Sequence, residues 1–225
     1  LKSSEGWFAA VYLNLCSFSK SGELPGKTSD IYQMFSASML NPLPEDRKEF
    51  LSAMGLADEF TEEMAEFITK REDVHQILKM LTRQNAFVAC LNDGQTYRFH
   101  HMMKECAFRA FRTLDDSRLA FYYERYGAWY EKHGAYIYAL SAYRRNQNFA
   151  AILRVVQKDA GILLASLKPE EVLEVLNRCS VSVLKEYPLA ILVLMRCMFN
   201  WKNIPKMLEL KELLLASIRE HPKLS

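Results

Sequence analysis

Apolar residues in this chain recur mostly at helical spacing, interrupted by one short stretch of strand-like alternation. Ser4–Ser19 places Trp7, Val11 and Leu15 on one helical face, with Phe8 and Tyr12 alongside and Ser3 or Ser4 as the cap. Lys20–Thr28 carries Gly22, Pro25 and Gly26 and reads as a loop; Ser29–Met39 reads as a short helix. Asn41–Pro44 breaks the pattern and marks a first boundary. Three helices are expected beyond it. Glu45–Gly55 carries Phe50, Leu51 and Met54, with Gly55 as a left-handed cap. A second helix starts at Thr61, in a capping box shifted by one, and a third runs from a cap at Asp73 through Ile77, Leu78 and Leu81 to Asn85.

The period then falls to two. Ala86–Leu91 is a strand by composition, residues 92–95 form a hairpin turn around Asp93-Gly94, and Thr96–His100 is the returning strand. Its Tyr97 and Phe99 share one face, with Arg98 on the other. Helical spacing resumes over His101–Arg112, with Met102, Cys106 and Ala110 on one line and Met103, Phe108 and Phe111 beside it. Three helices followed by a two-stranded hairpin and a helix are the plan of a winged helix, which this order favours over a generic small α+β domain.

From Ser117 onward the chain reads as paired helices with short joints: Ser117–His133, Ala135–Asn146, Asn148–Lys158, then pieces at Gly161–Ser166, Pro169–Cys179, Val181–Glu186, Pro188–Trp201 and Ile204–Glu220. Pro169, Pro188 and Pro205 fall in first turns, where a missing N–H costs nothing. The Gly134, Tyr136, Ala139, Tyr143 rhythm suits a tetratricopeptide helix pair, so this region reads as the start of an α-solenoid. The rings between Phe121 and Tyr143 fall at helical spacing, which favours a packed core over a base-stacking platform. The expected fold is therefore mostly α: residues 1–41 a helical segment, 42–114 a winged-helix-like domain with a small β-hairpin, and 115–225 a TPR-like helical region.

Composition narrows the function classes. The chain has 225 residues, is 50% apolar and 25% charged, and carries a net charge of +2. That balance gives no argument for nucleic acid or for an anionic membrane. The longest apolar run, Leu189–Met195, is far short of the roughly 20 residues of a membrane span. Five cysteines, Cys16, Cys90, Cys106, Cys179 and Cys197, have no zinc-ligand spacing and suit reduced thiols in a cytoplasmic protein. No P-loop, dinucleotide, zinc-protease or serine-hydrolase motif occurs, so the segment is not expected to be an enzyme by itself. The one candidate site is His100-His101, where strand gives way to helix. Unpaired N–H groups at a helix start favour an anion, and a histidine there adds a donor; an ordinary strand-to-helix junction accounts for the same two residues.

Four short motifs, in order, resemble the ATP-dependent LuxR-type transcription regulators of the MalT-like group, within the signal-transduction ATPases with numerous domains. Residues Ser4–Ala10, SEGWFAA, are similar to the family's E-G-W-x-A-A helix. Leu43-Pro44-Glu45, with Phe50-Leu51, is similar to its winged-helix entry. Residues Tyr97–Met102, YRFHHM, are similar to its Y-R-Y-H-H-L junction. Residues Trp129–Gly134 with Ala139 are similar to the start of its sensor helices.

This resemblance implies a middle segment: a helical piece, a winged helix used for intramolecular packing, and the beginning of a sensor. The ATPase core and the C-terminal DNA-binding helix-turn-helix lie outside it. In related ATPases a histidine at this junction touches the β-phosphate of ADP and holds the inactive form. The resemblance carries that role to His100, with His101 standing where the family usually has Asp. It implies no cofactor in the segment itself and ATP or ADP in the full-length protein. The implied partners are the protein's own nucleotide-binding domain and an unknown small-molecule or protein inducer at the TPR-like region, with no direct nucleic acid or membrane. Alternatives are a TPR-like adaptor for a protein partner, and a winged-helix DNA-binding protein with a helical dimerisation tail.

Overall fold

The computed structural model describes residues 32–33, 36–83, 88–159 and 168–220, with only the backbone described at 38 and 39. The expected helix over Ser4–Ser19, the loop after it and the helical piece at Gly161–Ser166 lie outside these residues. The chain divides into two compact units, Leu1–Leu119 and Ala120–Ser225.

In the first unit a π-helical turn, Ser36–Leu40, precedes α1, Glu45–Met54. Pro44 stands at the N-cap of α1, Glu45 and Asp46 favour the positive end of its dipole, and Phe50 to Met54 are all buried. Gly55 does not close α1 in a left-handed turn. Its φ of −63° and ψ of −14° are right-handed. Its lack of a side chain answers a different need. A Cβ there would lie 2.8 Å from Ala107 Cβ and 2.9 Å from the Ala107 carbonyl carbon. Ala107 belongs to α4, His101–Arg112, so the two helices approach closely at these residues.

Thr61 caps α2, Glu62–Thr69, by accepting from the Met64 N–H at 3.2 Å. Helix α3, Val74–Arg83, buries Val74, Ile77, Leu78 and Leu81 along one stripe. Asp73, just before it, is held by Arg71 through bonds of 2.8 and 2.7 Å, and Arg71 also reaches Asp46 on α1 at 3.3 Å. The guanidinium of Arg71 keeps the Asp73 carboxyl below its usual range.

The sheet differs from the expected two-stranded hairpin. Among the described residues it has three antiparallel strands in the order β1–β3–β2: β1 is Phe60–Thr61, β2 is Val88–Cys90 and β3 is Thr96–Phe99. Phe60 pairs with Tyr97 and Val88 with Phe99. The two-residue β1 is too short to show a period, so only its pairing reveals it. Its Phe60 ring lies 6.0 Å from Tyr97 and 5.4 Å from Phe99, which covers the β3 face picked out by alternation. At the hairpin tip Gly94 has φ +69°, and the Asp93 carboxylate accepts from the N–H groups of Gln95 and Thr96.

The second unit continues α5, Asp116–Lys132, into α6, Tyr136–Arg145, and α7, Phe149–Asp159. Gly134, with φ +72°, makes the first turn. Then come α8, Pro169–Arg178, α9, Val181–Lys185, α10, Pro188–Asn200, and α11, Ile204–Glu220. Pro169 and Pro188 occupy first turns as expected. Helix α6 packs on α7, α7 on α10, and α10 on α11, around a core that includes Ala139, Tyr143, Ile152, Val156, Leu176, Ile191 and Met198. The fold is thus mostly helical, with one small antiparallel sheet. No helix of the described residues is long and apolar enough to cross a membrane.

Candidate functional site

His100 and His101 sit where β3 ends and α4 begins. Phe99, the last strand residue, is buried and anchors the junction from below. His100 is half-buried and occupies the N-cap of α4 in an extended conformation (φ −58°, ψ 144°), with no capping hydrogen bond from its side chain. Its carbonyl accepts the first helical bond, from Lys104 N–H at 2.8 Å. His101 is the first helical residue and is exposed. The two imidazoles therefore meet different surroundings although they are adjacent in sequence.

Arg98 and Lys104 flank the junction along the chain. Arg98 projects from the exposed face of β3 and lies 3.8 Å from Glu59. Lys104, one turn into α4, pairs with Asp58, and partial burial lowers its pKa. The N–H groups of His101, Met102 and Met103 fall within the first turn, where a helix supplies no acceptor. The donors present suit an anion such as a phosphate, and Asp58 and Glu59 hold the local net charge down.

The surfaces a DNA-reading winged helix would use are poor in cations. Helix α3 exposes Lys79 and Arg83, His75 is engaged with Glu62 at 3.1 Å, and the hairpin tip carries Asp93. Among the described residues no group of three or more His, Cys, Asp or Glu is arranged to hold a metal ion. Cys90 is exposed; Cys106, Cys179 and Cys197 are buried free thiols, and burial pushes the Cys106 thiol up to about 11.

Sequence reasoning missed a second polar centre, in the helical unit. Glu131 on α5 is 8% exposed. It accepts from Tyr143 Oη at 2.9 Å, from Arg154 Nε at 2.9 Å and Nη2 at 2.8 Å, and from Lys158 Nζ at 2.7 Å. The Arg154 hydrogen bonds dominate in holding its carboxyl down at about 2, against the cost of burial. Burial and the Glu131 bond together push the Tyr143 phenol up. One buried carboxylate thus links α5, α6 and α7. A partial signal existed: Arg154 and Lys158 stand one turn apart on α7, but α5 carries two glutamates, Glu124 and Glu131, and spacing alone does not say which of them the cations meet.

Gly127 belongs to the same contact. A Cβ at that position would lie 2.4 Å from the Tyr143 ring. Residues 123, 126, 127 and 130 read Tyr-x-x-Tyr-Gly-x-x-Tyr, followed by Ala139 and Tyr143.

Residues 36–119 match the family described as the MalT winged helix domain. The chain is also 23% identical over 144 residues to the HTH-type transcriptional regulator AlkS of Alcanivorax borkumensis. That alignment covers 63% of this chain and 16% of the regulator, so the chain spans a small part of its relative's length.

Proposed function

We propose that this chain is the regulatory middle segment of a nucleotide-switched transcription regulator of the MalT-like, LuxR-type class. In this reading it couples the nucleotide state of an ATPase domain outside the chain to a helical sensor and to a C-terminal DNA-binding domain. The observation that carries the proposal is the match of residues 36–119 to the MalT winged helix domain. Similarity to a transcriptional regulator over 63% of the chain supports it. The segment itself performs no chemistry; its winged helix serves interdomain packing, and its helical unit receives an inducer.

His100 is the proposed contact to nucleotide, with His101 beside it. A bound ADP supplies an anionic phosphate at the face of the absent ATPase domain. His100 at the N-cap of α4 offers an imidazole donor there, next to the helix's own first-turn N–H groups. One charge-assisted hydrogen bond contributes about 1.5–3 kcal/mol, a bias of roughly tenfold or more between closed and open forms. The contact exists only while the two domains are docked, so it favours the closed state in proportion to ADP occupancy.

The test is nucleotide affinity in the longer native protein, wild type against His100→Ala. Weaker ADP binding together with less inducer-dependent transcription supports the latch. Unchanged affinity and unchanged basal transcription remove His100 from the mechanism and leave the junction as a packing element.

A further inference from the structure

A pocket of about 210 Å3 opens into the helical unit between α6, α7, α8 and α10. Its floor is apolar and buried: Leu140, Ile152, Val156, Val172 and Leu194 are each at most 8% exposed. An apolar floor offers water few hydrogen-bonding partners, so an apolar molecule that covers it is favoured there. The rim is different. Ser141, Arg144 and Glu171 line it, and Arg144 Nη1 meets Glu171 Oε1 at 2.8 Å.

We propose that this pocket binds a small neutral molecule with an apolar body and a single hydroxyl end, such as an aryl or alkyl alcohol. Volume sets the size. A cavity of 150 Å3 holds benzene, so this one suits a molecule of about nine heavy atoms. The rim selects the head group. Arg144 and Glu171 are opposite charges in contact, so a charged head meets one attraction and one repulsion and still leaves water. A hydroxyl accepts from the guanidinium and donates to the carboxylate without breaking their pairing. A volume of about 210 Å3 suits a small molecule better than a protein segment.

Occupancy also has a mechanical consequence. Arg144 is on α6 and Glu171 on α8, and the floor adds α7 and α10. A ligand there joins four helices that otherwise enclose a gap, which stabilises one arrangement of the unit. This purpose rests on the sensor reading given above; the binding itself does not.

The experiment titrates this chain with 2-phenylethanol, phenylacetate and 2-phenylethylamine, three probes of one shape and different charge. Methyl NMR spectra of Ile, Leu and Val report where each binds. Saturable shifts at Ile152, Val156, Val172 and Leu194 are expected for the alcohol, with the two charged probes about tenfold weaker or more. Val175, half-buried and lining the pocket, gives the control: Val175→Trp fills the space and abolishes binding, while Val175→Ala retains it. No saturable shift, or shifts spread over the exposed Leu189, Leu192 and Leu208 instead, overturns the site. Equal binding of the acid or the amine overturns the neutral head group. Where Val175→Trp does not fold, the wild-type shift map decides alone. Because the readout is binding to this chain, failure here leaves the nucleotide latch standing, and failure of the latch leaves the pocket standing.

Discussion

The Tyr143 hydroxyl donates to the buried Glu131 carboxylate at 2.9 Å, across the turn that separates α5 from α6. Arg154 and Lys158 close the cluster from α7. A carboxylate placed there without its partners would be costly to bury, so the cluster stands or falls as a unit. Glu131→Ala leaves both cations unmatched and opens space beside Tyr143. It is expected to lower stability by about 3 kcal/mol, moderated because Arg154 and Lys158 are half exposed. Tyr143→Phe removes one hydrogen bond and is expected to cost about 1–2 kcal/mol. Urea unfolding followed by circular dichroism measures both.

The same carboxylate gives the unit a pH signature. Its pKa falls from an ordinary 4.5 to about 2 on folding. A group whose pKa is depressed in the folded state contributes stability above its unfolded value and loses it as pH falls toward the folded value. The contribution is thus complete above about pH 4.5 and declines between there and about pH 2. The fall corresponds to about 3 kcal/mol. Glu131→Gln is expected to flatten the stability profile in this window relative to wild type. An equally steep profile in the variant would assign the acid sensitivity to other carboxylates.

Two glycines make opposite demands, and alanine separates them. Gly55 has ordinary helical angles, and its open Cα lets Ala107 approach to a distance no side chain tolerates. Gly55→Ala forces α1 and α4 apart and is expected to cost about 1–3 kcal/mol despite alanine's better helix propensity. Gly134 has φ +72° and open space around it, so Gly134→Ala costs only backbone strain, about 1 kcal/mol. Thermal melts of the two variants check the order. A milder effect at Gly55 than at Gly134 would show that α1 and α4 yield at that contact.

Gly127→Ala drives a methyl into the Tyr143 ring. Tyr143 is fully buried and tied to Glu131, so the ring has no free rotamer to retreat into. The expected loss is about 2–3 kcal/mol, as for overpacking of a filled core. The double variant Gly127→Ala/Tyr143→Leu should recover part of it, because the smaller side chain leaves room for the methyl. Additive losses in that double-mutant cycle would argue against the contact.

What the sequence determined by itself is the order and kind of the elements. Residues 101–112 and 204–220 read as helices from spacing alone, and the Asp93-Gly94 turn marked the hairpin, because these features depend on neighbours within a few positions. The junction at His100 was legible for the same reason: a period of two meets a period of 3.6 there. The tertiary structure decided what joins residues far apart. The strand Phe60–Thr61 exists through its pairing with Thr96 and Tyr97. Gly55 is required by Ala107, not by its own backbone. Glu131 is stable as an anion only because two cations and a phenol from later helices converge on it. The pocket between α6, α7, α8 and α10 is likewise a property of how helices meet. A local pattern records which face of an element is buried; it holds no record of what that face will touch.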